Sequence, residues 1–273
     1  MRILFVAWQD PDGRRWYPVG CLSFDGTVYR FVYTRGALQA EKFSPFMRMK
    51  SLDKQYESKE LFPIFSNRLL SRARQEYRTL LDWVNVAEER ADPITMLELT
   101  GGSRGTDSLE VFPCPVPNEE GFYEVVFFCH GLSHLGEGAI ERVKTLGPKD
   151  RLFLMPDMQN TADRFAIALR TADPATIVGY CPRYLNHDFH KLIQHCRDSV
   201  GVTVERVNLD APLQMRLLCR LVSPWPEGFQ PCSSESYEPL AGDQCLAGKY
   251  HQELQARTSA FSSTLSREHQ AES

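Results

Sequence analysis

The sequence predicts an α+β chain, with a small antiparallel sheet and helices in the first half and a β-rich module carrying two helices in the second. Three observations predict it. The first forty residues alternate apolar runs with turn residues, and residues 66–91 place apolar side chains at helical spacing. Beyond a proline-rich stretch, six short apolar runs are separated by turns and by two helical patterns.

The opening strands are RILFVAW, then WYPVGCLSF after the turn DPDG, then TVYRFVYT after Asp25-Gly26. Aspartate-glycine between apolar runs marks a hairpin, because both residues tolerate positive φ. In SNRLLSRARQEYRTLLDWVNVAEERA, Leu69, Leu70, Ala73, Tyr77, Leu80, Leu81 and Val84 share one helical face. The pattern predicts a helix from 66 to 91, capped by Ser66, with a break near Val84 to Val86. A short helix, a glycine-rich loop and a strand follow in DPITMLELTGGSRGTDSLEVFP. Three prolines between 113 and 120 mark a linker, which divides a domain at 1–112 from one at 121–222. In the second, strands are expected over FYEVVFFCHGL, DRLFLMP, FAIALRT, TIVGYCP, VTVERVNL and QMRLLCRLV, with helices over EGAIERV and LNHDFHKLIQHCRDS. After Pro224 apolar periodicity is lost, and 223–273 reads as a largely disordered tail.

Bulk properties limit the function classes. At 273 residues the length suits two domains, and 42% hydrophobic residues supply two cores. The net charge of -4 creates no global pull on polyanions, so any nucleic-acid contact has to be a local site. Eight cysteines without a CxxC pair, several inside apolar runs, fit buried thiols in a reducing compartment. The N-terminus lacks the pattern of a signal peptide and no run of 18 apolar residues occurs, so a cytoplasmic protein without membrane association is expected.

The segment LMPDMQNTADRFAI leaves one strand, passes Asp157, Gln159, Asn160 and Asp163, and enters another. Such side chains brace a loop through Asx-type hydrogen bonds. The alternative is that Asn160 and Asp163 face outward toward a hydroxyl or base edge. In GYCPRYL, Pro182 suits a first helical turn beside which Arg183 could hold a phosphate, or Arg183 could lie over Tyr180 or Tyr184. Arg68, Arg72, Arg74 and Arg78 on the helix after Ser66 read first as a solvated face that Glu76 and Asp82 partly neutralise, with a phosphate-binding strip as the alternative.

No complete catalytic constellation emerges. A lone Pro156-Asp157 binds magnesium poorly, and His187, His190 and His195 lack a third ligand on one face. The loop GGSRG at 101–105 lacks the lysine and strand-loop-helix frame of a phosphate cradle. Neither an enzyme nor a cofactor or metal is expected.

LFLMPDMQNTADRFAIALRT followed by IVGYCPRYL resembles the HIRAN domain over about residues 121–222. The resemblance implies a six-stranded OB-like barrel that grips a single-stranded DNA 3′ end, its loop aspartate bonded to the terminal hydroxyl. Carried over, Asp163 would take the 3′-hydroxyl, Asn160 the last nucleotide and Arg183 a phosphate, with Gln159 and Arg164 flanking them. An aromatic residue usually precedes that aspartate, and here the position is Ala162. His134, Tyr180 or Phe165 would have to supply the missing stacking surface. Residues 15–90, with TVYRFVYTRGALQA and FPIFSNRLL, resemble the N-terminal subdomain of HipA-type toxin kinases, without the kinase.

The leading expectation is a bacterial-type, non-catalytic adaptor for DNA repair or defence. Its barrel would recognise DNA ends, forks or damage while its first domain contacts a partner such as a nuclease or helicase. The rival expectation is a protein-interaction component of a toxin-antitoxin or defence-like system that does not bind DNA.

Overall fold

The computed structural model describes residues 1–105 and 107–242. The first sheet contains β1 (Arg2–Gln9), β2 (Trp16–Phe24), β3 (Tyr29–Tyr33), β4 (Tyr56–Ser58) and β5 (Leu109–Pro113), in the order β4-β3-β2-β1-β5. All neighbours are antiparallel. A helix α1 (Arg35–Gln39) follows β3. At the Asp25 turn only Gly26 takes positive φ, 103°, while Asp25 Oδ1 accepts the amides of Thr27 and Val28. The inner strand β1 is buried on both faces, which explains an uninterrupted apolar run where a half-buried strand would alternate. Leu4 and Val6 join Val19, Phe31, Phe65 and Leu97 in one core. Ile3, Phe5 and Ala7 face the other way.

A short helix α2 (Pro63–Ser66) ends where the helix expected over 66–91 was to begin. Of that helix only α3 (Glu76–Trp83) forms, and it ends at the break expected near Val84; the separate helix expected in DPITMLELT is α4 (Pro93–Thr100). Arg68 breaks the pattern. Its side chain, 2% exposed, donates to Ile64 O, Gly102 O and Asp107 Oδ2, bonds that a helical path through 68 would not serve. Arg72 donates to Ala91 O and the Arg68 side chain is buried, so the alternative of an arginine strip along one helix is not formed.

The second sheet contains β6 (Phe122–Phe128), β7 (Arg151–Pro156), β8 (Ile167–Arg170), β9 (Ile177–Tyr180), β10 (Gly201–Val207) and β11 (Leu217–Pro224), in the order β6-β11-β10-β7-β8-β9. It is antiparallel and curled. Its two edges meet where His130 and Tyr180 exchange backbone hydrogen bonds of 2.9 Å. The closure depends on Gly179: its φ is 146°, and a Cβ there would lie 1.8 Å from Cys129 Sγ. The helices α5 (Glu137–Lys144) and α6 (Asn186–His195) lie in the β6–β7 and β9–β10 connections. Cys129 and Cys219 are buried among apolar side chains, and burial pushes the Cys129 thiol up to about 12.

The two sheets share a core. Ile3, Phe5, Phe112 and Cys114 pack in one cluster with Tyr123, Phe127, Phe189 and Leu217. The proline-rich segment between the sheets is packed as well: Cys114 and Pro115 are buried, and the Cys114 amide donates to Ile3 O. A cavity of about 850 Å³, lined by residues including Arg72, Met96, Phe127 and Gly131, lies beside the packing of Tyr77, Leu81 and Met96 against Phe128 and Leu218.

Residues 224–242, expected within the tail, form an ordered strap. Phe229 and Cys232 are buried, the Cys232 amide donates to Asp188, and the Tyr237 ring meets Phe5 edge-on at 4.8 Å. The Leu240 amide donates to Tyr33 O. Large anchors at irregular spacing carry this packing, which a periodic pattern does not reveal. The remainder of the expected tail, 243–273, lies outside the described residues. Among the described residues no helix is long and apolar enough to cross a membrane.

Candidate nucleic-acid interface

The loop from β7 to β8 is built from three Asx turns at three-residue steps. Asp157 Oδ1 accepts the Gln159 amide at 3.3 Å, Asn160 Oδ1 that of Ala162 at 3.0 Å, and Asp163 Oδ1 that of Phe165 at 2.9 Å. Each side chain thus caps the amide two residues on. Asn160 Oδ1 also takes the Asp163 amide at 3.0 Å, and the backbone bond from Asp157 N to Ala166 O closes the loop at 2.8 Å. The bracing role foreseen for these residues is therefore present. A spacing of Asx residues at i, i+3 and i+6 is its sequence signal.

Asp163 does more than brace. Its Oδ2 accepts from Asn186 Nδ2 at 3.0 Å and lies 3.9 Å from Arg183 Nε. A carboxylate has about four acceptor sites, so at least one remains on Asp163, whose side chain is 16% exposed. Asn186 is 2% exposed and sits on the buried face of α6 with Phe189 and Leu192. Sequence reasoning missed it. A polar residue in phase with an apolar helix face was the available signal.

Tyr180 donates its hydroxyl to Asp157 Oδ2 at 3.1 Å, and Asn160 Nδ2 donates to the same oxygen at 3.3 Å. Burial first, then the hydrogen bond to Asp157 and its charge, raise the Tyr180 phenol above its ordinary value. It is a neutral donor. Asp157 therefore joins the loop to the strand end that closes the sheet.

Asn160, Asp163, Tyr180 and Arg183 are thus brought together, with Asp157 and Asn186 linking them. Gln159 points to solvent, and only its amide enters the network. Arg164 lies over the Phe165 ring at 4.5 Å. That ring is 44% exposed, with the His190 ring 5.9 Å away. Ala162 is exposed and brings no ring, leaving Phe165 as the exposed aromatic of this loop. His134 stands apart, exposed on the turn Leu132–His134 after the closing bridge.

A carboxylate with an unused acceptor site beside a guanidinium can hold a hydroxyl and a neighbouring phosphate together. No curated protein matches the chain. A crystal structure of a protein from Lactobacillus plantarum, 17% identical, aligns with 38% of this chain and 99% of its own at a TM-score of 0.29. Residues 122–225, which hold the whole curled sheet and this loop, match the HIRAN domain, a DNA-binding domain.

Proposed function

We propose that the protein is a non-catalytic, cytoplasmic adaptor that binds the 3′ end of single-stranded DNA at the 157–166 loop, including ends exposed at forks or damaged sites. The observation that carries this reading is Asp163, oriented by Asn186 at 3.0 Å and flanked by Arg183, with acceptor capacity to spare. In this reading Asp163 accepts the terminal 3′-hydroxyl, Arg183 pairs with a phosphate, and Tyr180 and Phe165 offer ring surface to the last bases. The first half, by its likeness to HipA-type N-terminal subdomains, contacts a protein partner such as a nuclease or helicase.

Titration with labelled single strands ending in a hydroxyl or a phosphate tests it. The hydroxyl-ended strand is expected to bind more tightly, because a 3′-phosphate meets the Asp163 carboxylate. Asp163→Ala should remove that preference and weaken hydroxyl-end binding by roughly 10- to 100-fold, as for one lost charge-assisted hydrogen bond. Arg183→Ala should weaken both strands alike and flatten the salt dependence. Absence of binding even at low salt overturns this reading. It would favour the alternative of a regulatory protein-interaction module, to which exposed Ala162, where a stacking ring was expected, already points.

A further inference from the structure

The turn between β1 and β2 reaches the loop site from the first sheet. Arg183, whose Nε lies 3.9 Å from Asp163, donates from Nη1 to the carbonyl of Arg14 at 2.8 Å. One guanidinium therefore separates the Arg14 backbone from the Asp163 carboxylate. The turn is rigidly built. Asp10 N donates to Arg15 O at 2.8 Å, Arg14 N to Asp10 O at 2.9 Å, and Gln9 Nε2 to Arg14 O at 3.0 Å. It is also anchored from below, because the Trp16 ring meets Tyr184 edge-on at 6.1 Å and Tyr184 stacks on Phe112 at 4.4 Å.

Two further observations concern its charge. Arg14 has φ 55°, a left-handed conformation that costs an arginine about 1 kcal/mol or more and that the neighbouring Gly13 would adopt freely. Both Arg14 and Arg15 are exposed, and among the described residues no carboxylate pairs with either. Of the turn's own acids, Asp12 is paired with Lys42, while Asp10 keeps its charge and accepts the Asp12 amide. Arg15 lies 5.2 Å over the Tyr17 ring.

We infer that this turn is a second wall of the nucleic-acid interface, with Arg14 and Arg15 contacting phosphates of single-stranded DNA just upstream of the nucleotide held at Asp163. The inference rests on the function proposed above and adds to it. The first half does not merely carry a partner; it completes the DNA site. Through the Arg14 carbonyl it also fixes the Arg183 guanidinium in place.

The test is a salt series of binding titrations with the full chain, using a labelled single strand with a 3′-hydroxyl and its 3′-phosphate counterpart. In the double variant Arg14→Gly, Arg15→Ala, glycine accepts the left-handed backbone without strain. Binding should weaken roughly tenfold, and the slope of log K against log salt should fall by about 1.4, the loss of two single-strand phosphate contacts. The preference for the 3′-hydroxyl should persist. The pair Arg14→Lys, Arg15→Lys should keep the wild-type slope, because the contact requires only charge. Unchanged affinity and slope in the neutral pair, with wild type binding and Asp163→Ala losing end preference, overturns this inference and leaves the 3′-end reading standing. Wild type that binds neither strand at low salt overturns both.

Discussion

At the residue scale, the site depends on one buried amide that keeps a carboxylate in place. Asn186 donates to Asp163 Oδ2, while its own Oδ1 is buried with no hydrogen-bond partner. Asn186→Asp replaces that donor with a second carboxylate about 3 Å from the first, and two such groups cannot both ionise without large cost. The folded state then raises the pKa of the pair above its unfolded values. The sign follows: stability is retained below the ordinary carboxyl range and lost as pH rises through the raised value. We expect the variant to melt close to wild type at pH 4 and to be about 2 kcal/mol less stable at pH 7. An equal loss at both pH values would show that the amide acts through packing alone. Asp163 and Asn160 could be read from the sequence because Asx side chains act on backbone two or three residues away. For Asn186 the sequence shows only a polar residue in phase with an apolar helix face, because its partner lies 23 residues earlier and meets it only through the fold. Arg14 escaped for the same reason, across 169 residues.

At the scale of elements, strands were more legible than helices. The runs over β1 to β3 and β6 to β11 carry period-two or continuous apolar signals flanked by turn residues, and these survive tertiary context. The helical pattern from 66 failed because Leu69 and Leu70 are drawn to packing among α3 and α4 while Arg68 is captured by Ile64, Gly102 and Asp107. Tertiary bonds of that kind outweigh helix propensities of a few tenths of a kcal/mol per residue. Closure of the second sheet was legible only as a Gly-Tyr pair. Its reason is steric: the strand end must come within reach of Cys129 and His130. Gly179→Ala should therefore cost about 3 kcal/mol, from unfavourable φ and from overlap with Cys129 Sγ and His130 O. Adding Cys129→Ala should restore part of that loss in a double-mutant cycle followed by chemical denaturation. Strict additivity of the two substitutions would mean that the cost at Gly179 arises from the backbone angle and the His130 carbonyl, with no part from Cys129 Sγ.

At the scale of the whole molecule, the shared core makes the first half a physical support of the half that matches the HIRAN domain. The β1 face bearing Ile3 and Phe5, the strap ring Tyr237 and the Phe112–Tyr184 stack all lie between the two sheets, and Arg183 reaches back to the β1–β2 turn. Composition pointed to two domains joined by a linker, because prolines at 113–117 resemble a spacer. What composition does not convey is that Cys114 and Pro115 are buried and that Cys114 pairs with β1. Phe5 is 7% exposed and touches both Phe112 and Tyr237, so Phe5→Ala should cost about 3 kcal/mol. If the halves unfold together, that loss is felt in each. Native-state hydrogen exchange should then quicken in β6 and β11 as much as in β1 and β2. Acceleration confined to the first sheet would instead mean two independently folding units, and the β1–β2 turn would be held beside the 157–166 loop only by the local contacts of Arg14 with Arg183 and of Trp16 with Tyr184.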